Sequence, residues 1–202
     1  MEKNYIVAGF GGQGVLFVGK ILANAFMISG KNVTWYPCYG AEMRGGTVNC
    51  EIVVSDEEVS SVHKQDVDCV IVLNQLSFDR FVSKVKNGGM IICNSSLVEE
   101  ARPRNDIQYV FYPMTDKAIE LGNSKLANMV SLGVLSNEEK ILTDDILTKA
   151  VDIVLPEERK KFLEPNMQAI KAGHGCVTLA CWFHLKGWCF NLLKELSFLL
   201  RY

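Results

Sequence analysis

The chain's clearest chemical potential lies in Ile6-Val7-Ala8-Gly9-Phe10-Gly11-Gly12-Gln13-Gly14-Val15. A short apolar run enters four glycines and leaves as an apolar helical pattern, the signature of a strand turning tightly into a helix. Glycines lack the Cβ atoms that would block such a turn, and they let backbone or ligand come close. The first N–H groups of the helix have no partners inside it. With the helix dipole they favour an anion such as a phosphate or a carboxylate. Gly9, Gly11 and Gly14 also fit G-x-G-x-x-G, but a dinucleotide site needs an acidic residue at the end of the next strand. Here that strand reads Val33-Thr34-Trp35-Tyr36 and meets Pro37-Cys38, with no carboxylate before Glu42. A classical NAD or FAD site is therefore disfavoured. Three readings stay open: a tight turn only, a site for another phosphate or carboxylate, and a dock for a partner's loop.

A second candidate is the loop Pro37 to Gly46, which carries Glu42-Met43-Arg44-Gly45-Gly46. Arg44 offers a planar fork for a carboxylate or phosphate. Glu42 can accept hydrogen bonds or pair with Arg44, and such a pair would merely brace the loop. Asn74-Gln75 and Asn94-Ser95-Ser96 close two apolar runs, where polar groups of α/β proteins gather at strand ends. Strand-end amides also cap neighbouring turns. Asn128, inside an apolar helical run, reads as serving a buried backbone group. His63, His174 and His184 lie in unrelated contexts, and no catalysis is assigned to them.

The elements that position these residues follow from periodicity. Strands are expected at 4–9, 33–36, 47–55, 67–74, 90–96 and 107–112. Helices are expected at 15–29, 77–85, 115–121, 125–135, 143–154, 157–163 and 165–172. Val15, Val18, Leu22, Ala25 and Phe26 form one stripe of the first helix, and Gly30 stops it. Thr143 is a plausible N-cap, with Asp144 and Asp145 in the positive first turn. Strands alternate with helices and are mostly continuous apolar runs. That predicts a three-layer α/β/α, Rossmann-like fold on a mainly parallel sheet. The 47–55 strand has no helix before it, so the sheet should be mixed.

Composition narrows the function. The 202 residues suffice for one domain with a proper core, and a net charge of -2 gives no case for nucleic acid or an anionic membrane. No signal peptide is expected ahead of the first strand. Cys50, Cys69 and Cys93 fall in apolar runs and read as small buried hydrophobes of a reducing cytoplasm. None of the seven cysteines has C-x-x-C spacing, which argues against a zinc or iron–sulfur site in this chain. The stretch 174–202 is apolar but carries His184, Lys186, Lys194 and Glu195, so a membrane span is not expected. It reads as a packed or partner-facing helix, or as an unstructured extension.

Gly9-Phe10-Gly11-Gly12-Gln13-Gly14, Tyr39-Gly40-Ala41-Glu42-Met43-Arg44-Gly45-Gly46, Asn74-Gln75, Asn94-Ser95-Ser96, Leu121-Gly122-Asn123 and Asn128-Met129 occur in that order. Together they resemble the gamma subunit of 2-oxoacid:ferredoxin oxidoreductases, a family including 2-oxoglutarate, ketoisovalerate, pyruvate and indolepyruvate enzymes. The resemblance covers about residues 4–173, so 1–173 is expected to be the gamma-type catalytic domain and 174–202 a C-terminal extension. Ala41 stands where the family usually has proline, Cys38 where serine is common, and Leu76 where proline usually follows Asn-Gln. The resemblance implies a cytoplasmic complex that decarboxylates a 2-oxoacid oxidatively, forms an acyl-coenzyme A and passes electrons to ferredoxin. Thiamine diphosphate and magnesium would lie in alpha and beta subunits, and iron–sulfur clusters in beta and delta subunits. For this chain it suggests a supporting role for Glu42 and Arg44. Gly9, Gly11, Gly12, Gln13, Gly14, Gly45, Gly46, Asn74 and Gln75 would face coenzyme A or a subunit interface. No metal ligand is assigned. The competing readings are a free-standing nucleotide-binding oxidoreductase and a non-catalytic scaffold subunit.

Overall fold

Val67 to Leu73 is apolar at almost every position because both faces of that strand are covered, and the sheet is built outward from it. The computed structural model describes residues 2–39, 47–59, 66–99 and 104–175. Its strands are β1 (Glu2–Phe10), β2 (Asn32–Tyr39), β3 (Thr47–Ser55), β4 (Val67–Val72), β5 (Val85–Asn94) and β6 (Gln108–Tyr112). They form one sheet in the order β2-β3-β1-β4-β5-β6. β3 runs antiparallel to both neighbours, and the pairs β1–β4, β4–β5 and β5–β6 are parallel. The sheet is thus mixed and mainly parallel, as the missing helix before β3 implied.

The helices are α1 (Val15–Ile28), α2 (Gln75–Phe81), α3 (Met114–Glu120), α4 (Ala127–Glu138), α5 (Asp144–Val154) and α6 (Leu163–Gly173). The larger core gathers α1, α3, α4, α5 and α6 on one face, and α2 covers the other through Phe78 and Phe81. α4 is buried continuously from Asn128 to Leu135. It lies between the sheet and α6, which explains an apolar pattern that favours no single stripe. α5 shows the opposite pattern, a clean stripe of Leu147, Ala150 and Val151, and Thr143 caps it by accepting from the Ile146 N–H.

Three expectations need correction. The strand expected to stop at Tyr36 runs through Pro37 and Cys38 to Tyr39. β2 is an edge strand, and an edge tolerates a proline that has no N–H to give. The helix expected over 77–85 spans Gln75–Phe81, followed by a 3-10 turn at Val82–Lys84, and Val85 opens β5. Asn87-Gly88-Gly89 therefore belongs to the strand region. The Gly88 N–H donates to the Asp106 carbonyl at 2.7 Å, and the β4–β5 register shifts between Val67 and Cys69 to accommodate the segment. The charged stretch expected as a helix over 157–163 is a 3-10 turn, Glu157–Phe162, and α6 begins at Leu163. Its two acidic and three basic residues are mostly exposed and bury no stripe, so nothing selects the α form.

Cys50, Cys69 and Cys93 are buried as expected. Burial pushes the Cys50 thiol up to about 12, and burial likewise raises those of Cys69 and Cys93. Peptide mapping after a brief alkylation at pH 8 should find these three cysteines unmodified in the native protein and modified in urea. Native modification of Cys50 at the unfolded rate would contradict the packing.

Candidate functional site

The chain changes direction across the sheet between β1 and β4. From β1 it goes through α1 to β2 and β3 on one side, and β4, β5 and β6 extend on the other. In open α/β sheets this switch point, at the carboxyl ends of the strands, is where ligands settle. Phe10, Leu73, Asn94 and Tyr112 mark this edge, and Thr47 pairs with Phe10 there. The first glycine-rich stretch thus leaves the sheet beside Thr47, the first residue of β3. Glu42, Arg44, Gly45 and Gly46 themselves lie outside the described residues, as do His63, His184 and the chain beyond Gly175.

Gln13 fastens the first turn to β4. Its Oε1 accepts from the Phe10 N–H at 2.7 Å and from Asn74 Nδ2 at 2.9 Å, and its Nε2 donates to the Leu73 carbonyl at 3.3 Å. Asn74 is 3% exposed and caps α2, its Oδ1 accepting from the Ser77 N–H at 2.9 Å. Gln75 faces outward, donating to Asp79 and accepting from the Glu99 N–H. Asn94 is buried; its Nδ2 donates to Leu73 and to Thr115 Oγ1, and its Oδ1 accepts from the Thr115 N–H. These amides close the carboxyl edge into a rigid frame. Asn128 does what its apolar context suggested, its Nδ2 donating to the Gly14 carbonyl at 3.4 Å.

Gly9 and Gly14 are required by this frame. A Cβ on Gly9 would stand 2.7 Å from Gln13 Oε1. Gly14 has φ of 74°, and a Cβ there would stand 2.1 Å from Asn128 Nδ2. Gly14 is also the N-cap of α1, with no side-chain cap and no acidic residue in the first turn. The leading N–H groups of α1 therefore keep the partial positive charge that a carboxylate would otherwise absorb. Gly11 and Gly12 form the outer part of the turn, half-buried and exposed respectively.

Beside this turn lies an open groove of about 1270 Å³. Its floor is the outer side of α1, from Leu16 and Phe17 through Lys20 to Asn24. One wall is β2, with Trp35 and Pro37. The other is the region from Ile153 to Asn166, including Arg159 and Phe162, and Asn123, Lys125 and Asn128 close one end. Lys20, Lys125 and Arg159 line the groove, and no carboxylate among the described residues does. Lys20 sits 5.3 Å above the Trp35 ring. No carboxylate among the described residues pairs with these three cations. The amino edge is built differently: Lys3 pairs with Glu139 at 2.7 Å, and Lys86 with Asp68. The groove's three cations are thus left available, in a chain that is slightly acidic overall. Residue spacing carried no hint of Lys20, Lys125 and Arg159 as a set, because packing of α1 against α4 and α5 assembles it.

A smaller chamber of about 250 Å³ adjoins the groove, lined by Gln13, Asn94, Thr115 and Ser124 with Leu73 and Leu97. Among the described residues no group of three or more His, Cys, Asp or Glu side chains could hold a metal ion. Among the same residues no helix is long and apolar enough to cross a membrane.

Fold and site together define a Rossmann-like α/β unit with a basic groove at its carboxyl edge. The profile of the family described as pyruvate ferredoxin/flavodoxin oxidoreductase matches residues 4–176, and the chain belongs to that family. Ketoisovalerate oxidoreductase subunit VorA of Methanothermobacter marburgensis is 38% identical over 178 residues, covering 85% of this chain and 36% of that relative. The chain thus spans about a third of that relative's length. The gamma subunit of a keto/oxoacid ferredoxin oxidoreductase from Geobacter sulfurreducens superposes with a TM-score of 0.76 at 28% identity, covering 87% of this chain and 96% of the other. The 2-oxoglutarate:ferredoxin oxidoreductase of Magnetococcus marinus, solved with 2-oxoglutarate, coenzyme A and succinyl-CoA bound, gives 0.78 at 22% identity. That match covers 87% of this chain and 31% of that one, and it speaks for the fold alone. The chain is a gamma-type unit of the 2-oxoacid:ferredoxin oxidoreductases.

Proposed function

We propose that this chain works inside a multi-subunit 2-oxoacid:ferredoxin oxidoreductase as the unit that holds coenzyme A. The reaction would release carbon dioxide from a 2-oxoacid, pass electrons one at a time to ferredoxin and leave the acyl group on the coenzyme A thiol. Alpha, beta and delta subunits would supply thiamine diphosphate, magnesium and the iron–sulfur clusters. Among the described residues Cys50, Cys69 and Cys93 are buried, and no carboxylate lines the groove. The same groove suits a polyanion. Three cations without acidic competitors, beside an uncapped helix start, carry the reading.

In this reading Gly9, Gly11, Gly12 and Gly14 keep the rim low, and Gln13, Asn74 and Gln75 hold it in place. Glu42, Arg44, Gly45 and Gly46 belong to the loop that joins β2 to β3 at the same edge, with Arg44 as a fourth cation for the ligand. The similarity to VorA, and to 2-oxoglutarate synthase subunit KorC of Archaeoglobus fulgidus at 33% identity over 173 residues, supports a branched-chain or 2-oxoglutarate-type acid over pyruvate.

In the assembled enzyme, Arg159→Ala should raise the apparent KM for coenzyme A about tenfold, the value of one charge-assisted hydrogen bond. The KM for the 2-oxoacid should stay put. Arg44→Ala should act in the same direction, and an unchanged affinity and rate would remove Arg44 from the site. If Arg159→Ala changes neither constant while the complex assembles normally, the chain serves as a scaffold.

A further inference from the structure

The chain leaves the family domain at a defined place. α6 ends at Gly173, and the Tyr112 O–H of β6 donates to the Ala172 carbonyl at 2.6 Å. Gly175 lies against the same phenol, its Cβ position 3.4 Å from Tyr112 Oη. The family match stops at residue 176, so 177–202 lies outside the shared unit. That stretch begins Val177-Thr178-Leu179-Ala180-Cys181-Trp182-Phe183, in which Thr178 is the one polar side chain, and Lys186 is the first lysine or arginine to follow. So apolar a run gains most by covering apolar surface near the point where it emerges.

Such a surface starts at the exit. Pro113 follows Tyr112 directly, and α3 begins at Met114 and packs against α6. The inner side of α3 is complete, with Met114 and Ala118 fully buried. On its outer side Ile119 is 58% exposed, and Leu121, the C-cap residue, is 41% exposed. Met27 and Ile28, also exposed, end α1 at the opposite edge of the sheet. α3 has seven residues and is about 10 Å long. Residues 177–185 reach about 13 Å even as a helix, and further when extended, so they can span it. The charges are complementary. α3 sets Asp116 and Glu120 against Lys117, whereas 177–202 sets Lys186, Lys194 and Arg201 against Glu195.

We infer that residues 177–185 fold back over α3 and cover Ile119 and Leu121, a docking contact made within this chain. The lone chain and the assembled enzyme then share the same closed α3 face, and partner subunits meet the unit elsewhere.

Hydrogen–deuterium exchange of the 202-residue chain, alone and in the assembled complex, reads this contact from both sides. Amides of 177–185 should exchange about tenfold slower than in a free peptide of that sequence, in the lone chain and the complex alike. In Ile119→Asp/Leu121→Asp this protection should vanish, residues 114–121 should exchange faster, and α4 should be unchanged. Ile119→Met/Leu121→Met should keep the protection, which separates loss of an apolar contact from damage to α3. Leu121→Asp alone carries the test if the double aspartate variant fails to fold. Exchange of 177–185 at the free-peptide rate in the parent chain overturns the inference, and so does protection that survives the aspartates. Protection that appears only as protein concentration rises gives the stretch to a second copy. Protection found only in the complex gives it to a partner subunit, and protection found only with phosphatidylcholine–phosphatidylglycerol vesicles gives it to a lipid surface. Each of these three results overturns the inference as well.

Discussion

Replacing Gly133 with alanine should lower the melting temperature by about 10 °C. In an unobstructed helix interior the same change would raise stability by about 1 kcal/mol, because alanine is the better helix former. Here the sign reverses. Gly133 of α4 faces α6 so closely that a Cβ would stand 1.9 Å from the Ile170 carbonyl oxygen and 3.0 Å from the Gly173 Cα. Gly173 returns the contact, its own Cβ position lying 2.2 Å from the Val130 carbonyl oxygen. The obstacles are backbone atoms, which cannot swing aside as a side chain can, so the helices must separate. α4 is wedged between the sheet and α6 with Met129, Val130, Leu132, Val134 and Leu135 all buried. Separation therefore loosens the whole larger core. Overpacking of this kind costs about 3 kcal/mol, and a domain of this size loses roughly 2–4 °C per kcal/mol. A thermal melt followed by circular dichroism decides it: a melting temperature at or above that of the parent protein would show that the helices do not meet at these glycines.

That contact could not be read from the sequence. Gly133 sits in an apolar run with no caps or turn residues near it, and only the packing of two helices distant in sequence gives it meaning. The glycines at 9–14 were legible because their role is local. A strand, a tight turn and a helix start follow one another, and each constrains the residues beside it. The antiparallel placement of β3 was legible because no helix precedes it, and Asn128 because an amide in an apolar helix must satisfy something buried. What failed was also local, where two patterns compete. Phe78, Phe81, Val82 and Val85 keep helical spacing, yet Val85 is already the first rung of β5, since its burial serves a strand equally well. Pro37 marked a strand end by propensity, but an edge strand has one side that donates nothing. The groove cations were missed for the same reason as Gly133: Lys20, Lys125 and Arg159 belong to elements that meet only in the fold.

Substituting aspartate for Asn74 should make stability fall as pH rises, whereas the parent amide does not titrate. Asn74 is almost fully buried, and its Nδ2 donates to Gln13 Oε1. A protonated aspartic acid can take the same role through its O–H. An ionised one cannot, and it would face Gln13 Oε1 oxygen to oxygen. Gln13 cannot answer by turning its amide over. Its Oε1 already receives the Phe10 N–H and its Nε2 already serves the Leu73 carbonyl, so a flip would set donor against donor and acceptor against acceptor. Burial and this contact both favour the neutral form and outweigh the Ser77 N–H at the α2 cap, which favours the charged one, so the folded-state pKa of the new carboxyl lies above its unfolded value near 3.9. The sign follows: the variant is close to the parent below about pH 4 and loses stability as pH rises from there through the raised folded-state value. By pH 7 the loss should reach about 3 kcal/mol, the cost of an uncompensated buried charge. Asn74→Ala serves as the comparison, losing the α2 cap at about 1 kcal/mol with no dependence on pH. Melting curves of the three proteins between pH 4 and 8 test the fastener directly. A gap between Asn74→Asp and the parent that stays constant across this range would mean that residue 74 does not face Gln13 in the folded protein. A gap that widens with pH would place the turn's stability, and with it the position of the α1 N-terminus over the groove, in the Gln13–Asn74 pair.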